Sequence, residues 1–187
     1  MRIWTNEDDF DLGACVAVLG MFDGVHIGHQ ALIRRGIEIA REENVPCVVY
    51  TFDRHPLSVI CPEREPKPLL SLARKLDKIE EMGADGVLIK PFTTEFASTP
   101  PEEYIRCLSE KMHIRALVAG FNFTFGERGR GNSALIQALS AKYGYRAEII
   151  DAVVEGENTV SSTLIRGLLA SGDTAAAKHL LDLRFER

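Results

Sequence analysis

Apolar residues gather in short, nearly uninterrupted runs at Cys15 to Leu19, Cys47 to Phe52, Gly86 to Ile89, Ala116 to Ala119 and Ala147 to Ile150. Runs this short and this rich in Val, Ile and Leu read as strands covered on both faces. Between them, spaced apolar positions predict helices. The first is Gly28 to Glu42, with Leu32, Ile33, Ile37 and Ile39 on its apolar face; then come Ser71 to Met82, Pro101 to Lys111, Ser133 to Lys142, Ser162 to Ala170 and a short one about Thr174 to Leu181. Ser71 suits an N-cap and Gly83 a helix stop. Strands alternating with helices predict an α/β fold, a doubly wound parallel sheet of about five strands with flanking helices. The proline-rich stretch Cys61 to Pro68 reads as a surface loop. No repeat or break in composition calls for a second domain, so residues 1–187 are taken as one.

In such a sheet, ligands bind beyond the carboxyl ends of the strands, so the loops that follow the strands are the ones to read. After the first run comes Gly20-Met21-Phe22-Asp23-Gly24-Val25-His26-Ile27-Gly28-His29, and after the second Thr51-Phe52-Asp53-Arg54-His55-Pro56. The fourth leads into Gly120-Phe121-Asn122-Phe123-Thr124-Phe125-Gly126, and Val160-Ser161-Ser162-Thr163-Leu164-Ile165-Arg166 follows the fifth. The first is a strand, a glycine-bearing turn and a helix start. Free backbone N–H groups and the positive end of the helix dipole attract phosphate there, and His26 and His29 add donors. Gly28 lets an anion approach the first turn without meeting a Cβ. The alternatives are an ordinary helix-start pair and a zinc site, and the latter needs further ligands at suitable spacing, none of which is evident nearby.

The remaining candidates each have a plainer reading. Ser161, Ser162 and Thr163 suffice as an N-cap cluster, while Arg166 one turn on can hold phosphate oxygens in bidentate fashion. Asn122 stabilises a turn or faces phosphates. Phe121, Phe123 and Phe125 share one face if their segment is extended, and serve as core or as the wall of a planar ligand. His55 packs its turn or touches ligand. Asp23 is expected to orient its loop through backbone N–H groups. Arg128 and Arg130 are a solvated pair or a phosphate-seeking loop.

Charge and cysteines narrow the partners. A formal net charge of −5 disfavours broad electrostatic binding to nucleic acid and leaves room for a small polyanion. Cys15, Cys47, Cys61 and Cys107 form no C-x-x-C pair, which fits reduced thiols and a cytoplasmic setting. No apolar stretch is long enough for a membrane span, and the N-terminus lacks a signal core. Oligomeric state is not legible.

The four loop motifs, G-M-F-D-G-V-H-I-G-H, T-F-D-R-H-P, G-F-N-F-T-F-G and V-S-S-T-L-I-R, in this order, resemble the HxGH nucleotidylyltransferases, and within them the FMN adenylyltransferase module of bacterial FAD synthetases. The resemblance implies a Rossmann-like fold and a single nucleotidylyltransferase domain. It also implies transfer of AMP from ATP to FMN, giving FAD and pyrophosphate by direct in-line attack. It places His26, His29, Asn122 and Arg166 in catalysis, and ATP on Gly20, Met21, Phe22, Asp23, Gly28, Ser161, Ser162 and Thr163 together with His26, His29 and Arg166. The flavin falls to His55, Pro56, Ile60, Tyr104, Asn122 and Phe125. The FMN phosphate, with a second pKa of roughly 6, needs no general base. Mg²⁺ is expected, held mainly by substrate phosphates rather than by protein ligands. Two departures stand out. Arg54 occupies a position where proline usually precedes the histidine, and no β-rich stretch remains here for the riboflavin kinase module that usually follows. The rival readings are an HxGH adenylyltransferase acting on phosphopantetheine or a nicotinamide nucleotide, and a catalytically silent flavin nucleotide-binding regulator.

Overall fold

The structure, a computed structural model, describes residues 1–181. Its strands are β1 (Arg2–Trp4), β2 (Cys15–Leu19), β3 (Cys47–Phe52), β4 (Gly86–Lys90), β5 (Ile114–Gly120) and β6 (Arg146–Ile150), all parallel, in the spatial order β1-β4-β3-β2-β5-β6. The helices are α1 (Ile27–Glu43), α2 (Leu57–Ile60), α3 (Leu72–Glu81), α4 (Thr94–Ala97), α5 (Pro101–Met112), α6 (Ser133–Tyr143), α7 (Ser162–Ala170) and α8 (Thr174–Leu181). The five apolar runs are the five inner and right-hand strands, and every expected helix is present within two residues of its bounds. A sixth strand, β1, joins them at one edge. It is three residues long with two of them exposed, too short and too wet to make an apolar run. The single-turn helices α2 and α4 and the small hairpin of β7 (Val154–Glu155) and β8 (Asn158–Thr159) likewise escape the periodicity.

Alternation along the strands divides the core into two layers. Ala17, Leu19, Tyr50, Leu88 and Leu117 pack with α5 and α6 on one face, through Ile105, Leu108 and Ile136. Val16, Val18, Val49, Val87 and Val118 pack with α1 and α3 on the other, through Ile33, Ile37 and Ile79. Each such side chain, fully buried, contributes about 1.5–3 kcal/mol of transfer free energy. Val18 stands in register with Val49 on one side and Val118 on the other. From β2 the chain builds outward through β3 and β4, then crosses to the far side for β5 and β6. The strand order therefore reverses beside β2, and a crevice opens at its carboxyl end. A third apolar cluster, Val160, Ile165, Ala177, Leu180 and Leu181, seats α7 and α8 next to that end.

Candidate functional site

The turn from β2 to α1 is folded tightly. A Cβ on Gly20 would lie 2.8 Å from the Phe22 ring, so glycine is required for the ring to fold back under the strand end. Phe22 (φ 51°) and Val25 (φ 41°) both take the left-handed region, which is disfavoured for an aromatic and more so for a β-branched residue. Such residues cost of order 1–3 kcal/mol each and persist where their surroundings over-determine them. Here both side chains are fully buried, Val25 N–H donates to the Phe22 carbonyl (3.2 Å), and Gln30 Nε2 donates to the Val25 carbonyl (3.1 Å).

The turn ends at His26, the N-cap of α1. Its Nδ1 accepts the His29 backbone N–H at 3.3 Å, and the two imidazoles stack with centroids 3.6 Å apart and planes 18° apart. A neutral ring that accepts at Nδ1 carries its proton on Nε2, leaving Nε2–H as a donor. A Cβ on Gly28 would sit 3.2 Å from Cε1 and Nδ1 of His26, so the ring lies on bare backbone at the helix start. Burial lowers the His26 pKa to about 4. The same desolvation, assisted by His26 and by the ammonium groups of Lys75 and Lys78, pushes His29 well below the ordinary imidazole value. Both rings are neutral at physiological pH. His29 Nδ1 is buried and lacks a hydrogen-bond partner among the described residues, a costly arrangement in a rigid core and a common one where a ligand is awaited.

The two histidines line a cavity of about 340 Å³ at the carboxyl end of the sheet, in the lower part of the range for small-molecule pockets. Of the residues expected at the site, Gly20, Met21, His26, Gly28, His29, His55, Pro56, Asn122, Ser161 and Ser162 line it. Three remote stretches of chain thus meet at the turn. Ser161 caps α7, its Oγ accepting the Leu164 N–H, and Ser162 Oγ donates to the Asp23 carbonyl at 2.9 Å, which ties α7 to the turn. Capping and cavity lining are both true of Ser161. His55 Nδ1 accepts the Leu57 N–H (3.1 Å), so its ring packs its turn while also facing the cavity.

Seven of the residues expected at the site lie outside this cavity. Phe22 is fully buried, its ring edge-on to His29 at 5.3 Å, because the left-handed backbone turns it inward. Asp23 and Arg166 face each other in a close ion pair, with Asp23 Oδ1 accepting the Leu69 N–H and Arg166 Nε donating to the Lys67 carbonyl; neither lines the main cavity. The Asp23 carboxylate thus accepts from a backbone N–H of the segment before α3 rather than from its own loop. Thr163 is exposed on the outer side of α7, and Ile60 is 61% exposed at the end of α2. Tyr104 and Phe125 are buried behind the cavity in a ring cluster, 5.2 Å between centroids. The Phe121–Phe125 segment is a turn rather than extended, closed by Phe123 N–H to the Gly120 carbonyl (3.0 Å), so Phe121 points to solvent while Phe123 and Phe125 stack. Arg54 pairs with Asp53 (2.9 Å), whose other oxygen accepts the Phe92 N–H, so its charge is spent within its own loop. Arg128 and Arg130 are solvated beside Glu127.

Two contributions escaped sequence reasoning. Ile150, Ala152 and Val153 give the cavity an apolar border at and beyond the end of β6, a stretch with no motif of its own. Lys75, from α3, lies buried directly behind the Gly20–Asp23 turn, one basic residue among several on an amphipathic helix.

Sheet order and turn together define a Rossmann-like α/β domain with an imidazole-bearing turn at the strand-order reversal. The FAD synthetase family profile matches residues 9–164. Over 168 residues the chain is 35% identical to the bifunctional riboflavin kinase/FMN adenylyltransferase of Bacillus subtilis strain 168, covering 89% of this chain and 52% of that protein. Against the Escherichia coli K12 protein of the same name the identity is 34%, covering 89% and 54%. A crystal structure described as a macrolide-efflux protein from Streptococcus pneumoniae superposes with a TM-score of 0.83 at 29% identity, over 96% of this chain and 59% of that one. The chain belongs to the FAD synthetase family, and it spans about half the length of the curated relatives it matches.

Proposed function

We propose that this chain is an FMN adenylyltransferase: the FMN phosphate attacks the α-phosphorus of Mg–ATP in line, and FAD and pyrophosphate leave. The observation that carries this reading is the stacked, neutral His26–His29 pair set on the N-terminus of α1 inside a family member's cavity. Neutral imidazole N–H donors and the helix-start amides meet charge as it builds on the α-phosphate and the departing pyrophosphate, with little reorganisation. The acceptor phosphate is already ionised near neutrality, so the site needs positioning and charge neutralisation rather than a base.

Asn122 and the hydroxyls of Ser161 and Ser162 border the same space and supply neutral hydrogen-bonding groups to phosphate oxygens. Ile150, Ala152 and Val153 offer apolar surface to a planar ring, as do Phe52, Pro56 and Phe123. A dinucleotide product carries two such planar groups. Mg²⁺ is read as part of the substrate, held mainly through the phosphates of ATP, as this ion usually is beside nucleotides. Presenting labelled ATP with FMN, phosphopantetheine or nicotinamide mononucleotide in parallel tests the acceptor. Label transfer to FMN is expected, and transfer to another acceptor in preference would replace this reading.

A further inference from the structure

Lys75 is 6% exposed, yet its ammonium has only neutral partners: the Met21 carbonyl (3.3 Å), Thr51 Oγ1 (3.2 Å) and the Phe52 carbonyl (3.2 Å). Thr51 Oγ1 itself donates to the Met21 carbonyl at 3.1 Å, completing a small ring of bonds between the end of β3 and the β2–α1 turn. No carboxylate lies within ion-pair distance of Lys75 among the described residues. Asp23 and Asp53 are near enough to act on it through space, but their oxygens are committed to Arg166 and the Leu69 N–H, and to Arg54 and the Phe92 N–H. A buried cation without a counter-ion burdens the fold, and a linear apolar side chain in its place would not. Lys75 does not line the histidine cavity but an adjoining one of about 370 Å³ that shares Met21 and His55 with it, and what the charge lacks inside the protein can be provided by a ligand that reaches across both.

We propose that Lys75 is a positioning residue for the site: its ammonium holds the phosphate turn against the end of β3 through the Met21 carbonyl and supplies the fixed positive charge that a polyphosphate reaching from the histidine cavity into its neighbour balances. The proposal rests on the reading that a nucleoside triphosphate binds at the histidine cavity, and it assigns no chemistry to Lys75 itself. Burial draws its pKa down to about 8, so in the empty protein the charge begins to be lost at mildly alkaline pH. A bound polyanion favours the ammonium. Binding must therefore weaken as pH rises through the free-state value.

The groups facing Lys75 are Asp23 from the turn, Asp53, Arg54 and His55 from the β3 loop, Lys67 from the segment before α3, His29 from α1 and Lys78 one turn further along α3. Between about pH 7.5 and 9.5 the carboxylates and arginine stay charged, the histidines stay neutral, and the terminal phosphate of ATP is fully ionised. The test is calorimetric binding of ATP and, separately, inorganic tripolyphosphate to wild type, K75R and K75M across that range, with melting temperatures recorded at each pH. Wild type should lose roughly tenfold in affinity over the range, K75R should bind without the alkaline loss, and K75M should bind at least about tenfold more weakly at the lower end and show no pH dependence. K75M should melt no lower than wild type. A flat wild-type profile, or K75M binding as tightly as wild type, overturns the proposal; if K75M does not fold, wild type against K75R decides it. Tight, pH-dependent ATP binding without FAD formation defeats the transferase reading and leaves this one standing.

Discussion

The imidazole of His29 lies 3.6 Å, centroid to centroid, over that of His26, whose Nδ1 accepts the His29 backbone N–H. One residue therefore caps the helix while orienting the ring of the other, and the pair stays neutral chiefly because burial disfavours either charged ring, with His26 adding to the shift at His29. The proposed task of His29 lies at the transferring phosphate. His29→Ala is expected to lower kcat by about 10²–10³-fold, the usual loss for one donor to developing charge, with flavin affinity nearly unchanged. Stopped-flow turnover and fluorescence titration with FMN separate the two quantities; equal losses in both would remove the role.

Gly28→Ala tests the packing beneath that pair. Alanine favours a helix over glycine by about 1 kcal/mol, yet its Cβ would press on the His26 ring at 3.2 Å. Melting temperature should hold or rise while kcat falls about tenfold or more, since an ångström of misplacement at the chemistry is expensive. Loss of both together would show instead that the substitution disrupts the turn.

Asp23→Asn separates the two bonds of that carboxylate. The amide still accepts the Leu69 N–H, but the charge opposite Arg166 is gone. Arg166 keeps its bond to the Lys67 carbonyl. The expected outcome is a stability loss of about 1–2 kcal/mol by denaturant titration. Arg166→Ala should cost a comparable amount. The double variant should cost less than the sum of the two, and strict additivity would contradict a direct pair.

Acidification should unfold the protein earlier than its carboxylates alone require. His26 titrates near 4 in the fold and near 6.5 when unfolded, so below about pH 6.5 the unfolded chain binds the extra proton and stability falls until about pH 4. For this one residue the loss approaches about 3 kcal/mol at its limit. His29, also depressed, adds in the same direction. A pH series of melting temperatures should slope downward through that window, and less steeply in a His26→Gln variant. An unchanged slope would mean that the ring is not buried neutral.

The sheet was legible because buried parallel strands leave continuous apolar runs: Cys15 to Leu19 and Cys47 to Phe52 carry no polar residue except Thr51. β1 was not, because two of its three residues face solvent and its place at the edge depends on β4, more than eighty positions away. Loops after strands pointed to the right end of the sheet, and the histidine turn, Asn122 and the two serines meet there. Side-chain direction was less legible. Phe22 turns inward on a backbone angle no residue pattern announces, and Arg166 finds Asp23 across 143 positions. Lys75 gave no signal at all: its distinction from Arg74 beside it is burial, and burial is a property of the packed fold.

The central claim is adenylyl transfer to FMN at the His26–His29 turn. The most direct measurement is chromatographic detection of FAD when the protein is incubated with FMN and Mg–ATP, with riboflavin and Mg–ATP as a parallel reaction. FAD with stoichiometric pyrophosphate from FMN, abolished by a His26→Ala, His29→Ala double variant that still binds FMN, is the predicted result. Folded protein that binds both FMN and ATP yet makes no FAD would contradict it.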